Sequence, residues 1–310
     1  MTPDALVALI GAFALHAMRM PMQKPVASHP LPAVHSIIAS APTRKEDASL
    51  GVEVSAKAAI VMDVDSGAVL FEKNVDEPLP IASLTKLVTA MTYLDTKPDL
   101  SKAVDILPED MGTIGSSELK AGDTLPAGDV FQAMLVGSLN ESADALARLS
   151  MGREAFVAAM NRKAQSLGML DSHFVDPSGL DSLNHASAHD VALALKAASA
   201  YPEIRNAMAK STLTLASKIN AKPYIIKSTN LLLASDINKP PYKIVAAKSG
   251  TLPEAGYCFA QITQGPDGQR VIALVLDDDA HFTRFQDVKA LTYWAFRSFD
   301  WPHADRKSVV

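Results

Sequence analysis

The hydrophobic period of this chain changes twice, and the order of those changes leaves few folds open. Residues 57–64 (KAAIVMDV) and 68–73 (AVLFEK) are apolar, β-rich runs on either side of the turn sequence Asp65-Ser66-Gly67. Two such runs around a turn read as a hairpin. Helical spacing takes over at Ser83, where Leu84, Leu87, Val88, Met91 and Leu94 mark one apolar face and predict a helix over 83–94. Helical patterning returns over 129–164, broken at 137–140 and at Gly152, with Gly168 as terminator. Ser187 and Asp190 signal another helix start before the apolar run 191–198, which Pro202 is expected to close.

Past residue 240 the period reverts to strands, over 242–248, 256–263 and 270–276. Gly265-Pro266-Asp267-Gly268 joins the last two as a turn. An amphipathic helix over 284–299, rich in aromatics, follows. The economical solution is an α/β (α+β) fold, in which one antiparallel sheet is built from both chain ends. Helices flank the sheet, and a helical lobe is inserted between the two sets of strands.

The first fifty residues differ in kind. Residues 5–14 (ALVALIGAFA) are apolar but shorter than the roughly 20 residues a bilayer-spanning helix needs. That length suits a signal-peptide core, with Ala12-Phe13-Ala14 or Leu15-His16-Ala17 as a small-residue cleavage site. Asp4 precedes the run and no Lys or Arg does, so residues 1–20 are read as a signal or as an anchor that stays attached. Five prolines and no periodicity over 21–50 read as a flexible leader. The folded part is expected to begin near Val52, giving a catalytic domain over 51–302 and a short tail at 303–310.

Charge sets some classes aside. Twenty-nine basic and 34 acidic residues leave a net −5 with no basic stripe, which argues against a nucleic-acid partner. The one cysteine, Cys258, lies in an apolar run and reads as a small buried hydrophobe. His185 and His189 are four apart but lack the Glu of a zinc-protease helix. Asp277-Asp278-Asp279 near His281 reads as a solvated turn, so no metal site is expected.

The chemistry concentrates at three places. Ser83-Leu84-Thr85-Lys86 opens the first helix, where residues three apart are neighbours about 5–6 Å apart at Cβ. A serine needs a base, and lysine serves only when burial or a nearby cation holds it neutral. Ser138-Leu139-Asn140 falls at the break between helical runs, where a loop can aim side chains into a cleft. Lys248-Ser249-Gly250-Thr251 ends a strand. There Lys248 can supply the cation that keeps Lys86 neutral, and Gly250 lets substrate backbone approach the strand edge.

In that order the three elements resemble the S-x-x-K, S-x-N and K-[TS]-G signature of penicillin-binding proteins and serine β-lactamases. More narrowly, the chain is similar to the low-molecular-weight D-alanyl-D-alanine carboxypeptidase/endopeptidase family. The nucleophile segment 81–90 (IASLTKLVTA), Phe174–Leu180 (FVDPSGL), 187–195 (SAHDVALAL) and 228–232 (STNLL) carry the likeness over most of residues 50–300. The resemblance implies a penicillin-binding-protein fold and an exported serine peptidase of the cell envelope or periplasm. Its implied partners are peptidoglycan stem peptides and β-lactams, with no metal or organic cofactor. It further implies that Ser83 is acylated, Lys86 is the base, and Ser138 relays a proton to the leaving amine. Asn140 would hold the acyl donor, Lys248 and Ser249 the terminal carboxylate, and the Ser83 and Thr251 N–H groups an oxyanion. Leu139 replaces a usual Gly and Ser249 a usual Thr. The end of the chain soon after the last helix favours the endopeptidase branch, which cuts D-alanyl cross-links. Two rivals are a β-lactamase, for which the helical lobe offers no E-x-x-L-N segment, and a non-catalytic penicillin or peptidoglycan sensor.

Overall fold

The computed structural model describes residues 39–302 except 48, 50, 113–117, 218, 220 and 221. The apolar segment at 1–20, most of the leader and the tail at 303–310 lie outside the described residues.

One five-stranded antiparallel sheet unites the early hairpin with the late meander. Its strands are β1 (Ala58–Asp63), β2 (Val69–Lys73), β3 (Lys243–Leu252), β4 (Gly256–Gln264) and β5 (Arg270–Asp278). They lie in the order β3-β4-β5-β1-β2, so the two chain ends meet where β5 pairs with β1. Both sheet faces are covered, and the period of two divides the strands between two cores. Ala58, Ile60 and Met62 face the helical lobe, while Ala59 and Val61 face the carboxy-terminal helix. On β5 the same alternation sends Ile272 and Leu274 one way and Val271, Ala273 and Val275 the other. This is why both strands read as continuous apolar runs rather than alternating ones.

The lobe consists of α1 (Lys86–Asp95), α2 (Ala127–Val136), α3 (Asn140–Met151), α4 (Arg153–Ser166), α5 (Ala188–Ala198) and α6 (Pro202–Met208). Helix α7 (Thr283–Ser298) covers the opposite sheet face through Phe285, Val288, Leu291 and Trp294. The Ser187 hydroxyl caps α5 by accepting from Asp190 N at 3.2 Å, as its sequence signal required.

Four expectations need correction. Thr43–Arg44, inside the segment read as leader, forms a short strand antiparallel to Phe299–Asp300, so ordered structure begins before Val52. Two residues are too few to show a period, and the pairing partner lies over 250 residues away in sequence. Pro202 does not merely close α5; it occupies the first turn of α6, where its missing N–H costs nothing. Lys248 lies within β3 rather than at a strand end, because the strand runs on to Leu252. Ser83 precedes α1 in a one-turn 3-10 helix, Ala82–Thr85.

Candidate active site

The nucleophile turn is pinned from two sides. The Asn184 side chain accepts from Val175 N at 2.7 Å and donates to Asp176 O at 2.9 Å and Thr85 Oγ1 at 3.2 Å. Its backbone carbonyl receives Ile81 N at 3.3 Å. Ala82, just before Ser83, has φ +47°, a left-handed conformation rare for a residue with a side chain. Ser138 in the second motif has φ +62°. Both uncommon conformations belong to the same site.

Lys86 is fully buried, and its amine meets three partners: Ser83 Oγ at 2.8 Å, Asn140 Oδ1 at 2.7 Å, and the Ser178 carbonyl. Two of these, the amide oxygen and the carbonyl, can only accept. A neutral amine has two N–H donors and one lone pair. Both donors are therefore claimed by Asn140 and Ser178, and the lone pair is left for the one partner that carries a proton, the Ser83 hydroxyl. The protonated amine fits equally well, with three donors to three acceptors. The site thus holds both ends of a proton transfer without rearrangement.

Burial pushes the Lys86 amine down to about 8, working against the negative charges of Asp176, Asp144 and Glu141. Lys248, also buried, is pushed well below its ordinary value by burial first, then by the charges of Lys86 and Arg284. Burial thus stands ahead of the expected influence of Lys248 in keeping Lys86 neutral. The two like charges act on each other reciprocally, so a proton on either amine disfavours one on the other.

The second and third motifs meet around Lys248. Its amine donates to Ser138 Oγ at 2.7 Å and Ser249 O at 2.8 Å, while Ser249 Oγ donates to Thr229 Oγ1 at 2.8 Å. Gly250 is tight against the nucleophile turn rather than open to a ligand. A Cβ placed there would lie 2.7 Å from Ile81 O and 3.2 Å from Ser83 N. The backbone that Gly250 admits is the chain's own. Thr251 Oγ1 donates to Gly250 O at 2.8 Å. The eight residues singled out from sequence therefore fall into two connected clusters, Ser83–Lys86–Asn140 and Ser138–Lys248–Ser249, with Gly250 and Thr251 on the strand between them.

Three contributors carried no sequence role. Asp176 Oδ1 accepts from Ser178 N at 2.6 Å, Ser178 Oγ at 2.7 Å and Gly179 N at 2.7 Å, and Oδ2 from Asp181 N at 2.8 Å. It thereby shapes the loop that presents the Ser178 carbonyl to Lys86. Arg284, 3% exposed, donates from Nη1 to Gly250 O and Thr251 Oγ1, each at 2.8 Å, and packs its guanidinium 5.3 Å from the Tyr257 ring centroid. Thr229 anchors Ser249. Asp176-Pro177-Ser178-Gly179 is a turn pattern that could have announced the first. Arg284 reads as an ordinary helix residue until the sheet brings β3 beneath it. Among the described residues no group of three or more His, Cys, Asp or Glu side chains is placed to hold a metal.

The chain is similar to known proteins along most of its length. The chain is 32% identical over 268 residues to the D-alanyl-D-alanine endopeptidase of Pseudomonas aeruginosa, covering 84% of each. It is 30% identical over 249 residues to the D-alanyl-D-alanine endopeptidase of Escherichia coli, covering 78% of this chain and 77% of that one. Penicillin-binding protein D2 of Listeria monocytogenes, solved in a cefotaxime-bound form, superposes with a TM-score of 0.70 at 31% identity, over 80% of this chain and all of that one. A sequence model of peptidase family S11, described as D-alanyl-D-alanine carboxypeptidase, matches residues 41–280. With about three-quarters of its length matched, the chain belongs to the D-alanyl-D-alanine carboxypeptidase family of serine peptidases.

Proposed function

We infer that this chain hydrolyses the bond following a D-alanyl residue in peptidoglycan stem peptides, through an ester on Ser83. One observation carries the reading: the Lys86 amine has two obligate acceptors for its N–H groups and presents its lone pair to Ser83 Oγ at 2.8 Å. In the proposed sequence Ser83 Oγ bonds to the D-alanyl carbonyl carbon as its proton passes to Lys86. The carbon–nitrogen bond then breaks. Ser138, held by Lys248, delivers a proton to the departing amine, and the hydroxyl is replenished through the lysines. Water next attacks the ester and gives a proton to Lys86; the carbon–oxygen bond to Ser83 breaks, Lys86 returns that proton to Ser83 Oγ, and the shortened peptide acid leaves.

Asn140 orients the acyl donor, Lys248 and Ser249 receive the leaving residue's carboxylate, and the N–H groups of Ser83 and Thr251 face the oxyanion. The substrate comes first among the partners, and β-lactams should acylate the same serine. We further propose export to the cell envelope by the segment at 1–20, which would act as a signal or tether. Among the described residues no helix is long and apolar enough to cross a membrane.

Labelling with a fluorescent penicillin, with wild type and Ser83→Ala compared, tests the nucleophile. Wild type should label and the variant should not, at equal thermal stability. Mass analysis of products from purified muropeptides then tests the substrate. Loss of D-alanine or splitting of a cross-linked dimer is expected, and neither appearing would overturn the reading.

A further inference from the structure

An apolar groove of about 240 Å³ is lined by Leu231, Leu232, Phe282, Phe285, Gln286 and Lys289. Two of its walls are large side chains left in solvent: Leu231 is 46% exposed and Phe282 66%. Phe285 and Leu232 belong to the core beneath, so the groove has a fixed floor and open apolar lips. Both lips are tied to the end of the site where the leaving residue's carboxylate is placed. Leu231 follows Thr229 by two residues, and Thr229 Oγ1 receives the Ser249 hydroxyl at 2.8 Å. Phe282 and Phe285 flank Arg284, which holds Gly250 O and Thr251 Oγ1 at 2.8 Å.

Resting on the reading above, we propose that this groove is the subsite for the leaving half of a cross-linked stem peptide. A carboxypeptidase leaving group, free D-alanine, ends at its own carboxylate and methyl and has nothing to extend further. The leaving half of a cross-link continues through the aliphatic chain of a diamino acid into the rest of the acceptor stem, which carries further carboxylates or amides. The methylenes match Leu231 and Phe282. Lys289, the one charged residue of the lining, has no carboxylate partner among the described residues and complements a second carboxylate. The Gln286 amide can meet either form. The groove therefore selects endopeptidase substrates by binding the portion that D-alanine lacks.

The test compares kcat/KM for a purified cross-linked muropeptide dimer with kcat/KM for an uncross-linked pentapeptide in the full-length enzyme. Wild type is set beside Phe282→Ser, Leu231→Ser and Lys289→Gln. Leu170→Ser, at a residue 84% exposed and remote in sequence from the groove lining, serves as control. The ratio of dimer to pentapeptide cleavage should fall about tenfold in Phe282→Ser, through KM rather than kcat, and stay at the wild-type value in the control. An unchanged ratio in all three groove variants overturns the subsite. So does a wild-type enzyme that trims the pentapeptide yet never cuts the dimer, an outcome that leaves the catalytic reading intact. Failure of wild type to label on Ser83 would instead remove the reading on which the subsite rests.

Discussion

Gly250→Ala tests whether the strand and the nucleophile turn must touch for the enzyme to react. The added methyl would sit 2.7 Å from Ile81 O, with Ala82 Cβ and Ser83 N both at 3.2 Å. A carbon–oxygen contact relaxes at about 3.3 Å, so strand and turn must part by roughly 0.6 Å. Neither side is a flexible tip: Ile81 O and Ser83 N are backbone, and Arg284 clamps the Gly250 carbonyl from the other side. Overpacking of this kind costs about 1–3 kcal/mol. Placed on the acylation barrier, that is a loss of about five- to 160-fold in rate, in line with the penalty for ångström-scale misplacement of reacting groups.

The assay is the second-order rate of labelling by a fluorescent penicillin, read together with a thermal melt. Gly268→Ala supplies the control, because Gly268 also lacks a side chain but has φ +87° and nothing within 4 Å of a new Cβ. It should lose about 1–2 kcal/mol of stability from backbone strain and none of its labelling rate. If Gly250→Ala acylates within twofold of wild type, the close approach of β3 to Ser83 is packing and has no part in reactivity.

With Lys86 as the proposed base and its amine pushed down to about 8, the neutral fraction should rise from about one in eleven at pH 7 to ten in eleven at pH 9, and the acylation rate with it. Asp144→Asn removes a carboxylate that raises Lys86, so the rising limb should move to lower pH; a limb that stays in place would refute that coupling. Lys248→Met leaves Ser138 without its donor and the leaving carboxylate without its cation, and should cost about a hundredfold or more in peptide cleavage; cleavage near the wild-type rate would exclude Lys248 from the chemistry. Asp176→Ala strips the acceptor from four loop donors and should lower stability by about 1–3 kcal/mol. The same change should slow acylation by loosening Ser178 from Lys86, and a variant with an unchanged melting temperature would show that the loop shapes itself.

Much of this was legible in the order of residues. The change of period from strand to helix and back places β1, β2 and the meander in one antiparallel sheet, because unpaired strand edges must find partners and the two ends offer them. Ser83 and Lys86 announce themselves by their spacing, since helical neighbours three apart meet whatever surrounds them. Ser138, Asn140 and Lys248 are recognised by order and setting. Local geometry and local pattern are properties of the chain itself, and so the sequence by itself determined the fold class and the family, and singled out Ser83 as the proposed nucleophile.

What only the tertiary structure decided concerns groups that meet across long intervals. Burial is the leading cause that depresses Lys86, and burial depends on how the whole lobe closes over the amine. Gly250 makes room for the Ser83 turn, 167 positions earlier in the chain, while Asp176, within a segment recognised only by likeness, and Arg284, on a helix that carries no motif, serve the site through contacts the sequence does not show. The strand Thr43–Arg44 exists because Phe299–Asp300 is there to pair with it. Desolvation, close approach and long-range pairing arise between segments, and so no single segment of sequence carries them.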